Sequence, residues 1–225
     1  MTTTAWIHGA LALATSTLLS TAQANNLLSN GSFEATLGPA NGGGPGYLSF
    51  NAPSQSIPAW LLTSGSIEVF TDFLGSGTQL IDMTGVHSAA GGAGPGSLQQ
   101  SFATTVGATY NVSFMMGGGN APVIKTMEVA VSGPVSTAYS QIFSLDSSQL
   151  PTPGTLTQQQ FSFIANDATS TLRFTSLVND SWDGPLLDAV VVSAAAVPEP
   201  ANWALLLAGL GVLSWLRRRN QAPSS

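Results

Sequence analysis

Polar and apolar residues alternate through most of the interior of this chain with the two-residue period of a half-buried strand. In residues 110–115, Tyr110, Val112 and Phe114 fall on one face, and Asn111 and Ser113 fall on the other. Residues 127–131 repeat the pattern, residues 97–102 follow it imperfectly, and 161–163, 172–174 and 187–192 add further runs. Two upstream runs, 67–70 and 80–83, complete a series of eight. Turn residues stand between them: Gly107, the glycines at 117–119, Gly133-Pro134, residues 151–154 and Asn166-Asp167. No interior stretch sustains a 3.6-residue apolar period over three turns. Short strands at such spacing predict an all-β sandwich, and a jelly roll fits best. Two Gly/Pro-rich stretches, 38–46 and 89–96, interrupt the rhythm. Neither leads into the Lys-Ser/Thr of a phosphate cradle, so both are expected to be flexible surface loops.

The two ends follow a different pattern. Residues 201–216 (ANWALLLAGLGVLSWL) carry no charge and run straight into Arg217, Arg218 and Arg219. Pro198, Glu199 and Pro200 precede them. An apolar span closed by cations predicts a transmembrane helix over 201–216 whose basic end stays in the cytoplasm. Its sixteen residues reach only about 24 Å, less than the ~30 Å hydrocarbon core, although Trp203 and Trp215 suit the interface. A buried helix of a soluble domain is the other reading, and three adjacent arginines argue against it. At the opposite end, residues 6–20 are apolar and lead into Thr21-Ala22-Gln23-Ala24. The small residues Ala22 and Ala24 predict a signal peptide over 1–24 and a mature start at Asn25, although residues 1–5 contain no Lys or Arg.

The Pro-Glu-Pro triplet, the span and the arginine cluster, in that order, resemble the PEP-CTERM sorting signal of bacterial exoproteins. The resemblance implies passage through the inner membrane with a transient anchor, and processing by an exosortase that removes it. The protein would then stay in the cell envelope or extracellular matrix of a Gram-negative bacterium. Three segments follow: a signal peptide (1–24), a β-sandwich domain (25–197) and a sorting signal (198–219).

The interior segment of roughly 170 residues suits one domain with its own core. Within it only Lys125 and Arg173 are cationic, against ten acids (the chain's eleven Asp and Glu less Glu199). Such a surface repels phosphate backbones, which excludes nucleic acid as a partner. The chain has no cysteine, which excludes disulfides, thiolate metal sites and cysteine nucleophiles. Packing must hold the domain together, with or without help from an ion.

A series of motifs runs through the interior in order: Asn30-Gly31-Ser32-Phe33-Glu34, Trp60, Gly65-Ser66-Ile67-Glu68-Val69, Ile81-Asp82-Met83-Thr84-Gly85, Gln100-Ser101-Phe102, residues 106–114 and Gly184-Pro185-Leu186-Leu187-Asp188-Ala189-Val190. The series resembles the choice-of-anchor C family of bacterial exoproteins, and is similar to a wider domain-of-unknown-function group shared with plant cell-wall proteins. The resemblance implies a galactose-binding-like jelly roll, related in shape to carbohydrate-binding modules, with extracellular polysaccharide as partner. It also implies a structural calcium ion as cofactor, held where the motif glutamate, Glu34, meets an aspartate of the last strand, Asp188. Backbone carbonyls near Gly31 or Ser32 would complete the hard-oxygen set that calcium needs. Alternatively, Glu34 and Asp188 are ordinary strand-end acids paired with Lys125 or Arg173.

Residues 179–184 (NDSWDG) look at first like a calcium loop, but the twelfth position is Val190 rather than Glu, so an Asp/Gly-rich turn explains them better. Trp182 in that polar loop would offer a ring face for a sugar, with Asp180 and Asp183 accepting its hydroxyls. Tyr47, Trp60 and Tyr139 are further aromatic candidates, of which Trp60 reads as core. His87 is the one histidine after the signal peptide, has no G-x-S-x-G elbow nearby, and no carboxylate pair stands out by spacing. The expected function is therefore an exported, non-catalytic, polysaccharide-binding protein. A self-associating structural matrix protein and a polysaccharide hydrolase are the alternatives.

Overall fold

The alternation closes into two antiparallel sheets packed face to face. The computed structural model describes residues 25–71, 79–85, 93–119, 124–179, 183–196 and 202–219, with side chains in the last segment from 206. In chain order the strands are β1 (Gly42–Gly44), β2 (Tyr47–Asn51), β3 (Leu61–Ser64), β4 (Ser66–Phe70), β5 (Leu80–Asp82) and β6 (Ser97–Ala103). They continue as β7 (Thr109–Gly118), β8 (Ile124–Ser132), β9 (Thr137–Asp146), β10 (Leu156–Ile164), β11 (Thr169–Ser176) and β12 (Pro185–Ala194), followed by one helix, α1 (Asn202–Arg219). One sheet runs β1-β2-β4-β5-β12-β7-β10 and the other β3-β6-β11-β8-β9. The crossovers between sheets are those of a jelly-roll sandwich.

The period-2 pattern selects the buried face of each strand. Tyr110, Val112, Phe114 and Met116 of β7 point into the core, as do Phe50 of β2, Ile67 and Val69 of β4, and Ile81 of β5. The centre of the core is aromatic. Trp60 packs on Phe33 at 5.3 Å between ring centroids and on Phe174 at 6.3 Å, and Phe114 meets Phe174 and Phe143 edge-on at 5.2 and 5.1 Å. Gln100 is one of the polar residues on an inward face, with Lys125, Ser170 and Ser176. Its amide exchanges two hydrogen bonds with the Ser29 backbone, accepting from N at 2.8 Å and donating to O at 2.9 Å. The amide thus stands in for the neighbouring strand that residues 28–30 lack.

Three elements depart from expectation. Within the predicted loop 38–46, Gly42–Gly44 is a strand paired with β2, because a ladder needs only backbone groups, and Asn41 fixes its start by bonding both Ser49 and Asn51. Gly117 and Gly118 lie inside β7 rather than in a turn. A Cβ at 117 would stand 2.6 Å from the Thr155 carbonyl oxygen, and one at 118 would overlap the Lys125 stem, so close approach demands glycine there. The edge strand β9 carries no alternation signal, because Gln141 interrupts its inward row of Tyr139, Phe143 and Leu145.

A helix forms where the tail predicts one. Leu206, Leu207, Leu210, Val212, Leu213 and Trp215 are all exposed, so no soluble core covers them. A helix apolar on every side belongs in lipid. Even so, no helix among the described residues is long and apolar enough to cross a membrane. The expected transmembrane helix over 201–216 is present as a helix over Asn202–Arg219, and Arg217, Arg218 and Arg219 occupy its last turn. The expected signal peptide (1–24) and Pro198, Glu199 and Pro200 lie outside the described residues.

Candidate functional site

Residues that alternate with the core positions line an open cavity on the outer face of the seven-stranded sheet. β2 contributes Tyr47, Ser49 and Asn51, β4 contributes Glu68 and Phe70, and β5 contributes Asp82; the cavity volume is about 550 Å³. Register brings them together: Tyr47 stands opposite Phe70, Ser49 opposite Glu68, and Glu68 opposite Asp82. The Tyr47 and Phe70 rings lie 6.2 Å apart and tilted by 48°. Ser49 Oγ donates to Glu68 Oε1 at 3.3 Å.

Asp82 holds the rim of this cavity. Its carboxylate is 2% exposed and accepts from Thr84 N at 2.8 Å and Gly184 N at 3.0 Å. Thr84 Oγ1 in turn donates to the Val178 carbonyl and shares a hydrogen bond with Ser176 Oγ at 2.7 Å. The loop entering β12 is pinned in this way, and Asp183 is set on the cavity wall. Beneath it Lys125, fully buried, donates from Nζ to the Asp183 carbonyl oxygen at 2.7 Å. Burial pushes the Asp82 carboxyl well above its usual range, against the pull of its N–H donor from Thr84, and the charges of Glu68 and Asp183 push it further. Burial also raises Glu68, opposed by Ser49 and assisted by Asp183.

A raised carboxyl in the folded state has a defined sign for stability. Below about pH 4 both states hold the proton; above that the unfolded chain ionises first. The stabilisation is therefore fully present in acid and is lost as pH rises through the folded-state value. The expected urea midpoint falls from pH 4 towards neutrality, and Asp82→Asn flattens most of that slope. Parallel slopes for the two proteins would remove Asp82 as the cause.

The second cluster lies where the chain start meets the last strand. Leu27 N donates to Val192 O at 2.8 Å, Val190 N to Gly31 O at 2.8 Å, and Asn26 bonds both Val190 and Val192 through its side chain. A Cβ on Gly31 would run into the Val190 carbonyl oxygen, so this crossing requires glycine. A β-bulge between Asp188 and Val191, with Ala189 at φ +48°, re-aims the strand there. Asp188 and Glu34 are brought close enough to interact. Burial pushes the Asp188 carboxyl up to about 6, the Ala189 N–H lowers it, and the Glu34 charge raises it. Glu34 Oε1 accepts from Gln79 N at 2.7 Å, and among the described residues the buried Gln79 Oε1 has no hydrogen-bond partner. Two neighbouring carboxylates and an orphan carbonyl oxygen are hard-oxygen donors that fit calcium. The described residues contain no group of three or more His, Cys, Asp or Glu side chains of metal-binding arrangement, so backbone or amide oxygens would have to complete the set.

The remaining candidates separate clearly. Trp60 is core, at 1% exposure. Tyr139 stacks on Phe161 at 3.9 Å with rings nearly parallel, so one of its faces is already covered. Asp183 and Tyr47 meet at the cavity, whereas Asp180, Trp182 and His87 lie outside the described residues. Arg219 lies over the Trp215 ring at 5.5 Å. Glu68, Phe70, Asp82 and Gln79 were not singled out in the sequence analysis. The outward positions of Tyr47, Ser49 and Asn51, and of Glu68 and Phe70, have a period-2 signature, but it acquires meaning only once β2 is known to pair with β4.

The PEP-CTERM protein-sorting motif matches residues 196–220, which marks the chain for export through a sorting system with a C-terminal membrane-anchoring tail and implies processing by an exosortase. Solved structures similar to this chain include a family 4 carbohydrate-binding module (TM-score 0.43, 14% identity, covering 75% of this chain and 99% of that one). A family 61 carbohydrate-binding module in complex with beta-1,4-galactotriose is similar too (TM-score 0.43, 13% identity, 76% and 99%). So is a family 35 carbohydrate-binding module from Clostridium thermocellum (TM-score 0.43, 19% identity, 65% and 98%). No curated protein matches the chain. Residues 26–193, which cover both sheets and both acidic clusters, match the DUF642 family, and the chain belongs to that family, described as proteins of unknown function.

Proposed function

We propose that this chain is an exported, non-catalytic polysaccharide-binding protein that holds its glycan in the cavity between Tyr47, Phe70 and Glu68. The cavity itself carries the reading: two half-buried aromatic rings and a row of oxygen acceptors line an open hollow on the sheet. Ring faces pack against the C–H surface of a sugar, and carboxylates accept its hydroxyl protons. Trp182 and Asp180, next to Asp183 in the chain, would extend the contact. The sorting tail delivers the domain to the cell envelope or extracellular matrix of a Gram-negative bacterium, where the anchor is removed. A calcium ion at Glu34, Asp188 and Gln79 stiffens the junction between the chain start and β12.

Titrating the exported domain against a glycan panel tests the binding reading. Tyr47→Ala is expected to weaken the best glycan at least about tenfold, ~1.4 kcal/mol, while leaving the circular dichroism spectrum unchanged. Trp182→Ala is expected to weaken it as well, and an affinity unchanged from the unsubstituted chain in both variants would refute the cavity as the site. The structural-matrix alternative rests on a specific feature. The edge strands β9 and β10 are ten and nine residues long, and only Asp146 at one end is charged. Long uncharged edges can pair with a second copy. Sedimentation in the same titration distinguishes the readings, because association that needs no glycan belongs to the structural one. Processing is read by mass spectrometry: the exported protein should lack residues 201–225, and an intact tail in the mature product would end that proposal.

A further inference from the structure

The cavity's chemistry narrows the class of glycan, an inference that rests on the cavity being the binding site. Its ionisable lining among the described residues is Glu68, Asp82, Asp183 and the Tyr47 phenol. The nearby cation, Lys125, lies on the interior side of the sheet, fully buried, with its ammonium on the Asp183 carbonyl. We infer that the cavity takes a polysaccharide whose sugars carry a protonated amine, as a de-N-acetylated hexosamine polymer does, and rejects polymers of uronic acids.

Two independent features converge on that class. The first is the acidic floor. Glu68 stands opposite Asp82 in register and is half-buried; its charge adds to the burial that makes Asp82 hold its proton, and the Asp183 charge acts on both. An ammonium group placed there relieves the repulsion and forms a charge-assisted hydrogen bond. A uronate carboxylate would add a further negative charge a few ångströms away in a partly desolvated site, which opposes binding. The second is the aromatic wall. Tyr47 and Phe70 form the register pair next to Ser49 and Glu68 on the same sheet face, and the negative faces of aromatic rings attract cations as well as sugar C–H groups. Carboxylates alone would accept protons from any hydroxyl. Together with ring faces they form a cage that favours a positively charged group.

The test compares three oligosaccharides on the exported domain: glucosamine oligomers, N-acetylglucosamine oligomers of the same length, and oligogalacturonate. Glucosamine oligomers are expected to bind at least about tenfold more tightly than the acetylated ones, with the gap narrowing as salt screens the ammonium. Oligogalacturonate is expected not to bind. Glu68→Gln, which keeps the side-chain shape, should cost the glucosamine oligomers more affinity than the acetylated ones, closing most of the gap between them. Equal affinity for the acetylated and free-amine oligomers, or no binding of the free-amine form, would overturn the inference. The comparison on the unsubstituted protein does so without depending on any variant's folding. If a neutral glycan binds and Tyr47→Ala abolishes it, the cavity reading stands although the amine inference has failed. If glycans bind and Tyr47→Ala changes nothing, the cavity reading has failed.

Discussion

Trp60→Ala is expected to destabilise the sandwich by about 3–5 kcal/mol, the usual cost of deleting a large buried aromatic. The ring is 1% exposed and contacts Phe33 from the chain start and Phe174 from β11. Its Nε1–H also donates to the Asn30 carbonyl at 2.9 Å, where Asn30 sits in left-handed backbone at φ +50°. Asn30 in turn donates from Nδ2 to the Pro58 carbonyl at 3.0 Å and accepts from Ala35 N at 3.0 Å. Removing the indole therefore opens a cavity and frees the turn that carries Glu34. Trp60→Phe keeps a ring but removes one of the two donors to the Asn30 carbonyl, which retains Phe33 N at 3.2 Å; the expected loss is about 0.5–1.5 kcal/mol. Chemical denaturation reads both variants, with the midpoint falling and the slope unchanged. A loss below about 1 kcal/mol for Trp60→Ala would show that this packing is not the centre of the core. Where Trp60→Phe remains folded, its glycan affinity should match that of the unsubstituted chain, which distinguishes a core tryptophan from a sugar platform.

Trp60 also shows which parts of the molecule were legible before any fold was in hand. Its place in an ordered motif series already marked it as core. The strands with one fully covered face, β7 and β12, announced themselves because their inward residues are apolar, and β8 did so over Met127, Val129 and Val131, beyond the inward Lys125. Edge strands escaped that requirement. β9 tolerates Gln141 in its inward row because little covers an edge, and β1 has no side chains with which to signal. The cavity was legible only in fragments. Tyr47 and Asp183 have suitable chemistry, but their meeting depends on the order β2-β4-β5-β12, which alternation within single strands does not encode. Asp82 stood in the 80–83 run and in a family motif, and only the burial of its carboxylate against Thr84 and Gly184 shows that it organises the rim. Glu34 and Asp188 lie far apart in the chain. Family resemblance suggested their meeting, and the β-bulge at Ala189 shows how it comes about.

Calcium should raise the thermal midpoint, and a chelator should reverse the change. At a hundredfold excess over its dissociation constant, an ion that binds only the folded state adds about 2.7 kcal/mol. For a domain of this size each kcal/mol moves the midpoint by about 2–4 °C, so a shift of about 5–10 °C is expected. Asp188→Ala and Glu34→Gln should each remove most of the response, since each deletes a charged oxygen donor. Gln79 provides the sharper discrimination. Its buried Oε1 has no hydrogen-bond partner among the described residues, so in the absence of the ion Gln79→Met should cost nothing or even stabilise, because an unsatisfied carbonyl is expensive to bury. With calcium present the same variant should gain less than the unsubstituted chain. A purely structural role for Gln79 predicts the same change with and without the ion. Because Gln79 leads directly into β5, which carries Asp82, a bound ion at one end of this short strand would also steady the acid that pins the cavity rim at the other. A melting curve indifferent to calcium and to chelator would remove the ion, and this coupling with it.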